Sequence, residues 1–300
     1  MTASNRPPGA TAVRSISVDG QQLRVAVRAG DGSRDPLLVF NGIGASLDLL
    51  QPFADALPPS LEVIRFDVPG VGGSPLPARP YRFTGLCRLA ARMLTALGYG
   101  TADVLGISWG GGVAQHFAAS QRRRCRRLVL VSTATGAIMV PARPAVLARM
   151  ATPRRYLDSS YLQRVAPDLY GGSARSEPER VTSLLHSSSR VGSPLGYLYQ
   201  LGAGAGWTSL PFLPLLRQDT LIMSGDDDPL IPLANARMLR LLIPHSRLHI
   251  YHGGHLGLVT EAAELAPVID GFLAAAGPAV ASHPPGAGSA APRRPPRRNP

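Results

Sequence analysis

Short apolar runs recur along the chain, and segments with a helical spacing of apolar residues lie between most of them. The clearest helical segment is Thr84–Leu97, which shows one apolar face and begins at Thr84 as its N-cap. Leu23, Val25 and Val27 alternate with polar residues, which predicts an exposed first strand or hairpin. This order predicts an α/β fold with a mostly parallel central sheet and helices on both faces. The predicted buried strands are Leu37–Phe40, Leu61–Phe66, Asp103–Ile107, Arg127–Val131, Thr220–Met223 and Leu248–Tyr251.

The alternation stops between Gly136 and Pro214, where prolines, arginines and five tyrosines are scattered. Because this segment lies between two predicted strands, we expect it to cover the strand ends, where open α/β sheets bind ligands. We predict a mainly helical cap at residues 137–215, between two core segments at 13–136 and 216–276. The ends at 1–12 and 277–300 are rich in Pro, Gly and Ala, which predicts disordered tails, the second of them basic.

The net charge of +12 invites a nucleic-acid interpretation, but nine arginines lie in two short runs at 121–127 and 293–298. We interpret the first run as a solvated face after a helix C-terminus, and we expect no nucleic-acid partner. Cys87 and Cys125 are interpreted as free thiols. No signal-peptide segment and no apolar stretch of about 18 residues is visible, so we expect a cytoplasmic protein that is not integral to a membrane.

A G-x-S-x-G pentapeptide, Gly106–Gly110, directly follows an apolar run and directly precedes a helical segment. A serine hydroxyl is a poor nucleophile unless a base can reach it, and a sharp strand-to-helix turn presents it to one. The flanking glycines permit the tight turn. We therefore predict Ser108 as a catalytic nucleophile.

The sequence also supplies an acid and a base downstream. Asp226, Asp227 and Asp228 follow the strand that begins at Thr220, and like charges this close cannot all be buried. One carboxylate is therefore expected to point towards a histidine, while the others face water or cap the next helix. His255 follows the last strand, and the order serine, aspartate, histidine is that of an α/β-hydrolase triad.

Four histidines invite a metal interpretation, but along a strand they would point in different directions, and no helical His-Glu spacing is present. We expect no metal and no cofactor. These histidines are His245, His249, His252 and His255.

Asn41–Gly44 is a glycine-containing turn directly after the strand Leu37–Phe40. Such a turn can aim a backbone N–H at a substrate carbonyl. We predict that the N–H groups of Ile43 and Trp109 form an oxyanion hole beside Ser108.

Several longer stretches resemble the α/β-hydrolase superfamily and, within it, the intracellular depolymerases of medium-chain poly(3-hydroxyalkanoate). The resemblance covers about residues 30–275, and Asn41–Gly42 matches these depolymerases where other superfamily members often carry His-Gly. It implies that Asp228, three residues after Gly225, is the acid, and Asp227 is our second choice. The stretches are FNGIGA, EVIRFDVPGVGGS, PYRFTGL, GISWGGGVAQHFA, TATGAIMVP, SPLGYLYQL, GWTSL and GDDDPLIP.

The resemblance implies an α/β-hydrolase fold and a serine hydrolase that releases 3-hydroxy acids or oligomers from a hydrophobic polyester. It also implies association with the surface of storage granules. The residues leave three alternatives open: a 3-hydroxyacyl acyltransferase, a small-molecule esterase or carbon–carbon bond hydrolase, and a binding protein without turnover.

Overall fold

The computed structural model describes residues 7–187 and 192–275. In this part of the chain, eight strands form one sheet in the order β1-β2-β4-β3-β5-β6-β7-β8. β1 is antiparallel to β2 and β2 to β4, whereas all other neighbouring strands are parallel. The strands are β1 (Thr11–Val18), β2 (Gln21–Arg28), β3 (Leu37–Phe40), β4 (Val63–Phe66), β5 (Ala102–Ile107), β6 (Cys125–Val131), β7 (Thr220–Gly225) and β8 (Ser246–Tyr251).

The central strands are buried on both faces because helices cover both sides of the sheet. Along β3, Leu37 and Val39 pack into one apolar cluster, and Leu38 and Phe40 pack into the other. The first cluster includes α1 and α12, and the second includes α2, α3 and α10. These helices are α1 (Gln51–Ala56), α2 (Phe83–Leu97), α3 (Trp109–Ser120), α10 (Leu233–Leu242) and α12 (Ala262–Ala274), and the short α11 (Gly257–Thr260) precedes α12.

Every strand predicted from an apolar run is present, with small differences at its ends. The predicted hairpin near the N-terminus is confirmed, but its expected exposure and the bounds of the N-terminal tail are wrong. β2 pairs with β1 in this hairpin but is largely buried, because β1 and β4 flank it. β1 begins at Thr11, inside the segment predicted as a disordered tail, because Ala29 N donates a 2.9 Å hydrogen bond to Ala10 O. Residues 1–6 and the predicted tail at 277–300 lie outside the described residues.

The predicted Thr84 cap is also wrong. α2 begins at Phe83, and its N-cap residue, Arg82, makes no side-chain cap hydrogen bond. Thr84 is already inside the helix, and its Oγ1 lies 3.2 Å from His116 Nε2 on α3. The hydroxyl therefore links two helices instead of closing the end of one.

The arginine run after α3 is not simply a solvated face. Arg127 is buried, and its guanidinium donates to the carbonyl groups of Phe272, Leu273 and Ala275 at the C-terminal end of α12. Arg126 forms an ion pair with the buried Asp103. A cation beside the last carbonyls of a helix is stabilising, so part of this run holds α12 on the sheet.

The segment between β6 and β7 is mainly helical and forms a cap. It leaves and rejoins the core at one point, where Gly136 pairs with Thr208 and Ala137 N donates to Trp207 O over 2.7 Å. The cap therefore ends near residue 207, earlier than the suggested boundary at 215, because Leu213 packs into the core. Its helices are α4 (Pro144–Met150), α5 (Arg154–Leu157), α6 (Ser159–Tyr170), α7 (Ser173–Ser176), α8 (Pro178–Ser187) and α9 (Pro194–Gly204).

Two further features bear on the class of protein. Cys87 and Cys125 are free and buried, and burial raises the pKa of both thiols. Neither cysteine therefore has the setting of a nucleophile. Within residues 7–187 and 192–275, every helix is too short or too polar to cross a bilayer.

Candidate active site

Ser108 lies in a strained turn between β5 and α3. Its backbone has φ of 56° and ψ of −123°, a left-handed conformation that is costly for a residue with a side chain. A Cβ atom at Gly106 would overlap Gly110, and one at Gly110 would overlap the backbone of Phe40 and Asn41. Only glycine therefore fits on either side of Ser108, and the turn presents the serine hydroxyl at the end of the sheet.

The hydroxyl of Ser108 begins a continuous chain of hydrogen bonds. Its Oγ lies 3.0 Å from Nε2 of His255, and Nδ1 of His255 lies 2.8 Å from Oδ2 of Asp228. The side chain of Asp228 is fully buried, and that of His255 is 5% exposed. The second carboxylate oxygen of Asp228 accepts from the backbone N–H groups of Leu230 and Ile231, at 2.9 and 2.8 Å. These donors fix the carboxylate in the orientation that meets the imidazole.

The three consecutive aspartates have three different sets of partners. Asp226 binds His252 Nδ1 at 3.0 Å, and this hydrogen bond lowers the pKa of Asp226 and raises that of His252. Asp227 binds Arg175 Nε at 2.8 Å, and this bond lowers the pKa of Asp227. Both carboxylates are partly exposed, and neither caps the following helix. Of the three, the structure brings only Asp228 to His255.

A turn of the cap fits between the acid loop and the histidine loop. His255 N donates a 2.7 Å hydrogen bond to Tyr170 O, and Gly172 N donates a 2.7 Å bond to Oδ2 of Asp227. A Cβ atom at Gly172 would overlap the backbone of Gly254, and Gly172 has a φ of +49°. The cap therefore supports the position of the histidine directly.

The predicted oxyanion residues lie beside Ser108. Gly42 and Ile43 line the same narrow cavity as Ser108 and His255. In the described part of the chain, neither the Ile43 N–H nor the Trp109 N–H has a protein acceptor. The neighbouring groups are engaged: Gly44 N donates to Oε1 of Gln200 at 2.7 Å. Two free amide donors beside a serine are the arrangement that stabilises a developing oxyanion.

Ser108 lies where two cavities meet. The narrow one has a volume of about 30 Å³ and extends under the cap, with apolar walls that include Leu49 and Val259. The wider one has a volume of about 420 Å³ and is bounded by Trp109 and Trp207. Further apolar residues that line the wider cavity are Phe83, Met139, Leu147, Leu201 and Ile231.

The four histidines of the metal interpretation are not brought together on one centre. His252 binds Asp226, whereas His255 binds Asp228 and Ser108. Among the residues described by the structure, no group of three or more His, Cys, Asp or Glu side chains has an arrangement suited to a metal ion.

Three residues at the site were not predicted from the sequence: Tyr156, Gly172 and Gln200. Each acts on the core from within the cap, more than 50 residues from its partner in the chain. The sequence stretch SPLGYLYQL contains Gln200 but carries no local pattern that marks the glutamine. The only signal that could have indicated these residues was the resemblance of the whole chain to a known family.

Comparisons with known proteins agree with this fold. The family described as alpha/beta hydrolase fold matches residues 35–262. The chain is also 53% identical over 261 residues to a poly(3-hydroxyalkanoate) depolymerase of Ectopseudomonas oleovorans, covering 87% of this chain and 92% of that protein. It is 27% identical over 233 residues to 3-oxoadipate enol-lactonase 2 of Acinetobacter baylyi, covering 77% of this chain and 86% of that protein.

A solved structure shows the same fold. The enol-lactonase from Burkholderia xenovorans LB400 superposes with a TM-score of 0.75 at 22% identity, covering 87% of this chain and 99% of that one. The sheet and the serine turn thus define an α/β hydrolase fold. With the 53% identity over most of its length, the chain belongs to the poly(3-hydroxyalkanoate) depolymerase family within the alpha/beta hydrolases.

Proposed function

We propose that this chain hydrolyses the ester bonds of a medium-chain poly(3-hydroxyalkanoate) through an acyl-enzyme on Ser108. The observation that carries the proposal is the hydrogen-bond chain from Asp228 through His255 to Ser108, located where two apolar cavities meet. The name of the relative with 53% identity supports the polyester as substrate.

The geometry supports a two-step reaction. Nε2 of His255 accepts the proton of Ser108 as Oγ attacks the ester carbonyl carbon, and Asp228 stabilises the imidazolium that forms. The same proton then passes to the alkoxide oxygen of the leaving chain as its bond to the acyl carbon breaks. A water molecule attacks the acyl-enzyme, gives its proton to His255, and releases the acid while Ser108 recovers its hydrogen.

The negative oxygen that forms at each attack is stabilised by the amides of Ile43 and Trp109. Each oxyanion donor of this kind typically contributes about 3 kcal/mol to stabilising the transition state. No metal or cofactor takes part in these steps.

Two cavities suit a polymer because a polyester carries one alkyl side chain on each side of the bond that is cut. The wider cavity is almost entirely apolar, with Trp109 and Trp207 among its walls, which favours alkyl side chains longer than a methyl group. These features support the medium-chain preference.

Exposed apolar side chains of the cap support binding to polymer granules in the cytoplasm. Of the eleven large apolar side chains that are exposed in the described residues, six lie in the cap. A concentration of exposed apolar side chains is typical of a surface that meets another hydrophobic surface. The six residues are Ile138, Val140, Leu147, Leu157, Leu195 and Leu198, of which Leu147 also lines the wider cavity.

The experiment that tests the function is an assay on stable latexes of medium-chain and short-chain polymer, beside soluble p-nitrophenyl esters. We expect the purified protein to clear the medium-chain latex with release of 3-hydroxy acids or oligomers, and Ser108→Ala to leave it turbid. Cleavage of the soluble esters with an intact latex would show a small-molecule esterase instead. Transfer of the acyl group to an added thiol or alcohol in preference to water would show an acyltransferase.

A further inference from the structure

The peptide unit between Ile43 and Gly44 is held at both ends by the cap. The hydroxyl of Tyr156 on α5 donates to Ile43 O at 2.7 Å, and Gly44 N donates to Oε1 of Gln200 on α9 at 2.7 Å. The two bonded groups belong to one planar unit. Two helices of the cap therefore fix the orientation of this peptide, which directly follows the amide proposed to bind the oxyanion.

Gln200 also bonds the side chain of Trp109, the residue whose backbone N–H is the second proposed oxyanion donor. Its backbone carbonyl accepts a 2.9 Å hydrogen bond from Nε1 of Trp109, while its side chain holds Gly44. Gln200 is 1% exposed, so neither bond competes with bulk water. One buried residue thus bridges the segments that contain both proposed oxyanion amides.

Close packing leaves this bridge little freedom. Gly44 has a φ of +73°, and a Cβ atom there would lie 2.5 Å from the ring of Tyr156 and 2.9 Å from that of Tyr197. The guanidinium of Arg155 lies 4.5 Å from the centroid of Tyr156 and 5.3 Å from that of Tyr197. It also donates a 2.8 Å hydrogen bond to the Tyr197 hydroxyl, so the two rings form one rigid group.

We propose that Gln200 and Tyr156 are positioning residues that keep the Ile43 amide aimed at the oxyanion. The oxyanion hole is then complete only while α5 and α9 of the cap rest on the Asn41–Gly44 turn. This inference rests on the proposed serine mechanism, but not on the polymer as substrate. A purely structural role for these bonds would make their loss lower stability without a selective effect on the transition state.

The test compares three variants. Gln200→Met keeps the side-chain length but removes the acceptor of the Gly44 N–H, whereas Gln200→Glu keeps an acceptor oxygen. Tyr156→Phe removes the hydroxyl that donates to Ile43 O. On p-nitrophenyl octanoate, we expect Gln200→Met to lower kcat by about 10- to 100-fold with KM within about twofold, because oxyanion donors act in the transition state. Gln200→Glu should recover most of the loss. Tyr156→Phe should lower kcat by about 10-fold.

A second measurement does not depend on turnover. The rate at which a fluorophosphonate labels Ser108, followed by intact mass, should fall in parallel with kcat, because the phosphonyl oxygen occupies the oxyanion hole. Gln163→Met, at an exposed position of the cap, and Tyr199→Phe on α9 are the matched controls and should match wild type. The thermal midpoint of each variant identifies those that do not fold.

Wild-type kcat and labelling rate in a folded Gln200→Met variant would overturn the positioning role, as would a rise of KM alone. If Gln200→Met does not fold, Tyr156→Phe decides by the same criteria. The two proposals fail separately. If wild type leaves the polymer latex untouched while the variants show the expected losses of kcat and labelling rate, only the polyester substrate is refuted. If wild type clears the latex while the variants keep wild-type kinetics, only the positioning role is refuted.

Discussion

The two sides of Ser108 are held by different parts of the molecule. The acid and the base come from loops at the carboxyl ends of β7 and β8, and their hydrogen bonds to each other need no residue of the cap. On the proposed oxyanion side, Tyr156 and Gln200 of the cap bond the Ile43–Gly44 peptide, and they lie 113 and 156 residues along the chain from the groups they hold. In the proposed mechanism, the core therefore supplies the reacting groups, and the cap positions the turn that carries the Ile43 amide.

The division has one exception. The cap turn that contains Gly171 and Gly172 contacts the backbone of the histidine loop, and Tyr170 O accepts from His255 N. The cap therefore influences both sides of Ser108, through side-chain hydrogen bonds on one side and backbone packing on the other. The predictions below separate these contributions, from the largest expected effect to the smallest.

The largest effect is expected from Asp228→Asn. An amide at this position holds the imidazole in the wrong tautomer and does not stabilise the imidazolium, so kcat should fall by about 10,000-fold with the fold intact. Asp227→Asn is the matched control, because Asp227 binds the partly exposed Arg175, and such a pair contributes about 0–1 kcal/mol to stability. Steady-state kinetics on a soluble ester measures both. A larger loss of kcat in Asp227→Asn than in Asp228→Asn would assign the catalytic acid to Asp227.

A backbone change in the cap should give the next largest effect. In Gly172→Ala, the positive φ alone costs roughly 1–3 kcal/mol, and the new methyl group overlaps Gly254, next to His255. A displaced imidazole should lower kcat by about 100-fold. Gly202→Ala is the control, since a Cβ atom at this helical position meets nothing within 4 Å and should leave stability equal or slightly higher. Wild-type kcat in folded Gly172→Ala would show that the turn does not position His255.

The same contrast explains how much of the site the sequence predicted. The Ser108 turn, the aspartate run and His255 each follow a strand of the parallel part of the sheet, and parallel strands bring such positions to one edge of the sheet. Their meeting was therefore predictable from apolar runs and chain order. The choice among the three aspartates was not, because it depends on loop geometry and was taken from resemblance alone.

The cap was predictable only in outline. Its composition indicated an insertion over the strand ends, but Tyr156 and Gln200 act through contacts between distant segments, for which helical spacing gives no signal. Other errors have the same origin. Arg127 was interpreted as solvated because a run of arginines gives no indication that the end of α12 lies beside it. Similarly, Thr84 was predicted as a cap because the local sequence gives no indication of its bond to His116 on α3, which is a tertiary contact.

The exposed apolar residues of the cap and of the core should also differ in how strongly they bind polymer, although this effect is smaller. In a Ser108→Ala background, the double substitution Leu195→Gln and Leu198→Gln should weaken co-sedimentation with polymer particles by about 10-fold, as expected if about 1.4 kcal/mol of apolar contact is lost. Leu241→Gln on α10 is the control, since Leu241 is 83% exposed but lies on the α/β domain and not on the cap. Equal losses in both variants would show that no particular face binds the polymer.

The smallest effect is expected at the exposed pair that Asp226 and His252 form beside the histidine loop. Their hydrogen bond raises the pKa of His252 above 6.5 and lowers that of Asp226 below 3.8. The pair therefore contributes its full stabilisation between pH 3.8 and pH 6.5, the ordinary pKa values of the two groups. The stabilisation fades as pH rises through the raised pKa of His252, and also as pH falls through the lowered pKa of Asp226.

His252→Gln should accordingly lower the thermal midpoint slightly near about pH 5–6 and match wild type by about pH 9. Its kcat should stay within about twofold of wild type, because Asp228 and His255 make their own hydrogen bond without this pair. Thermal melts across this pH range measure the difference. A midpoint difference that stays constant or grows at alkaline pH would show that His252 acts by packing, and a large loss of kcat would give this loop a direct part in positioning His255.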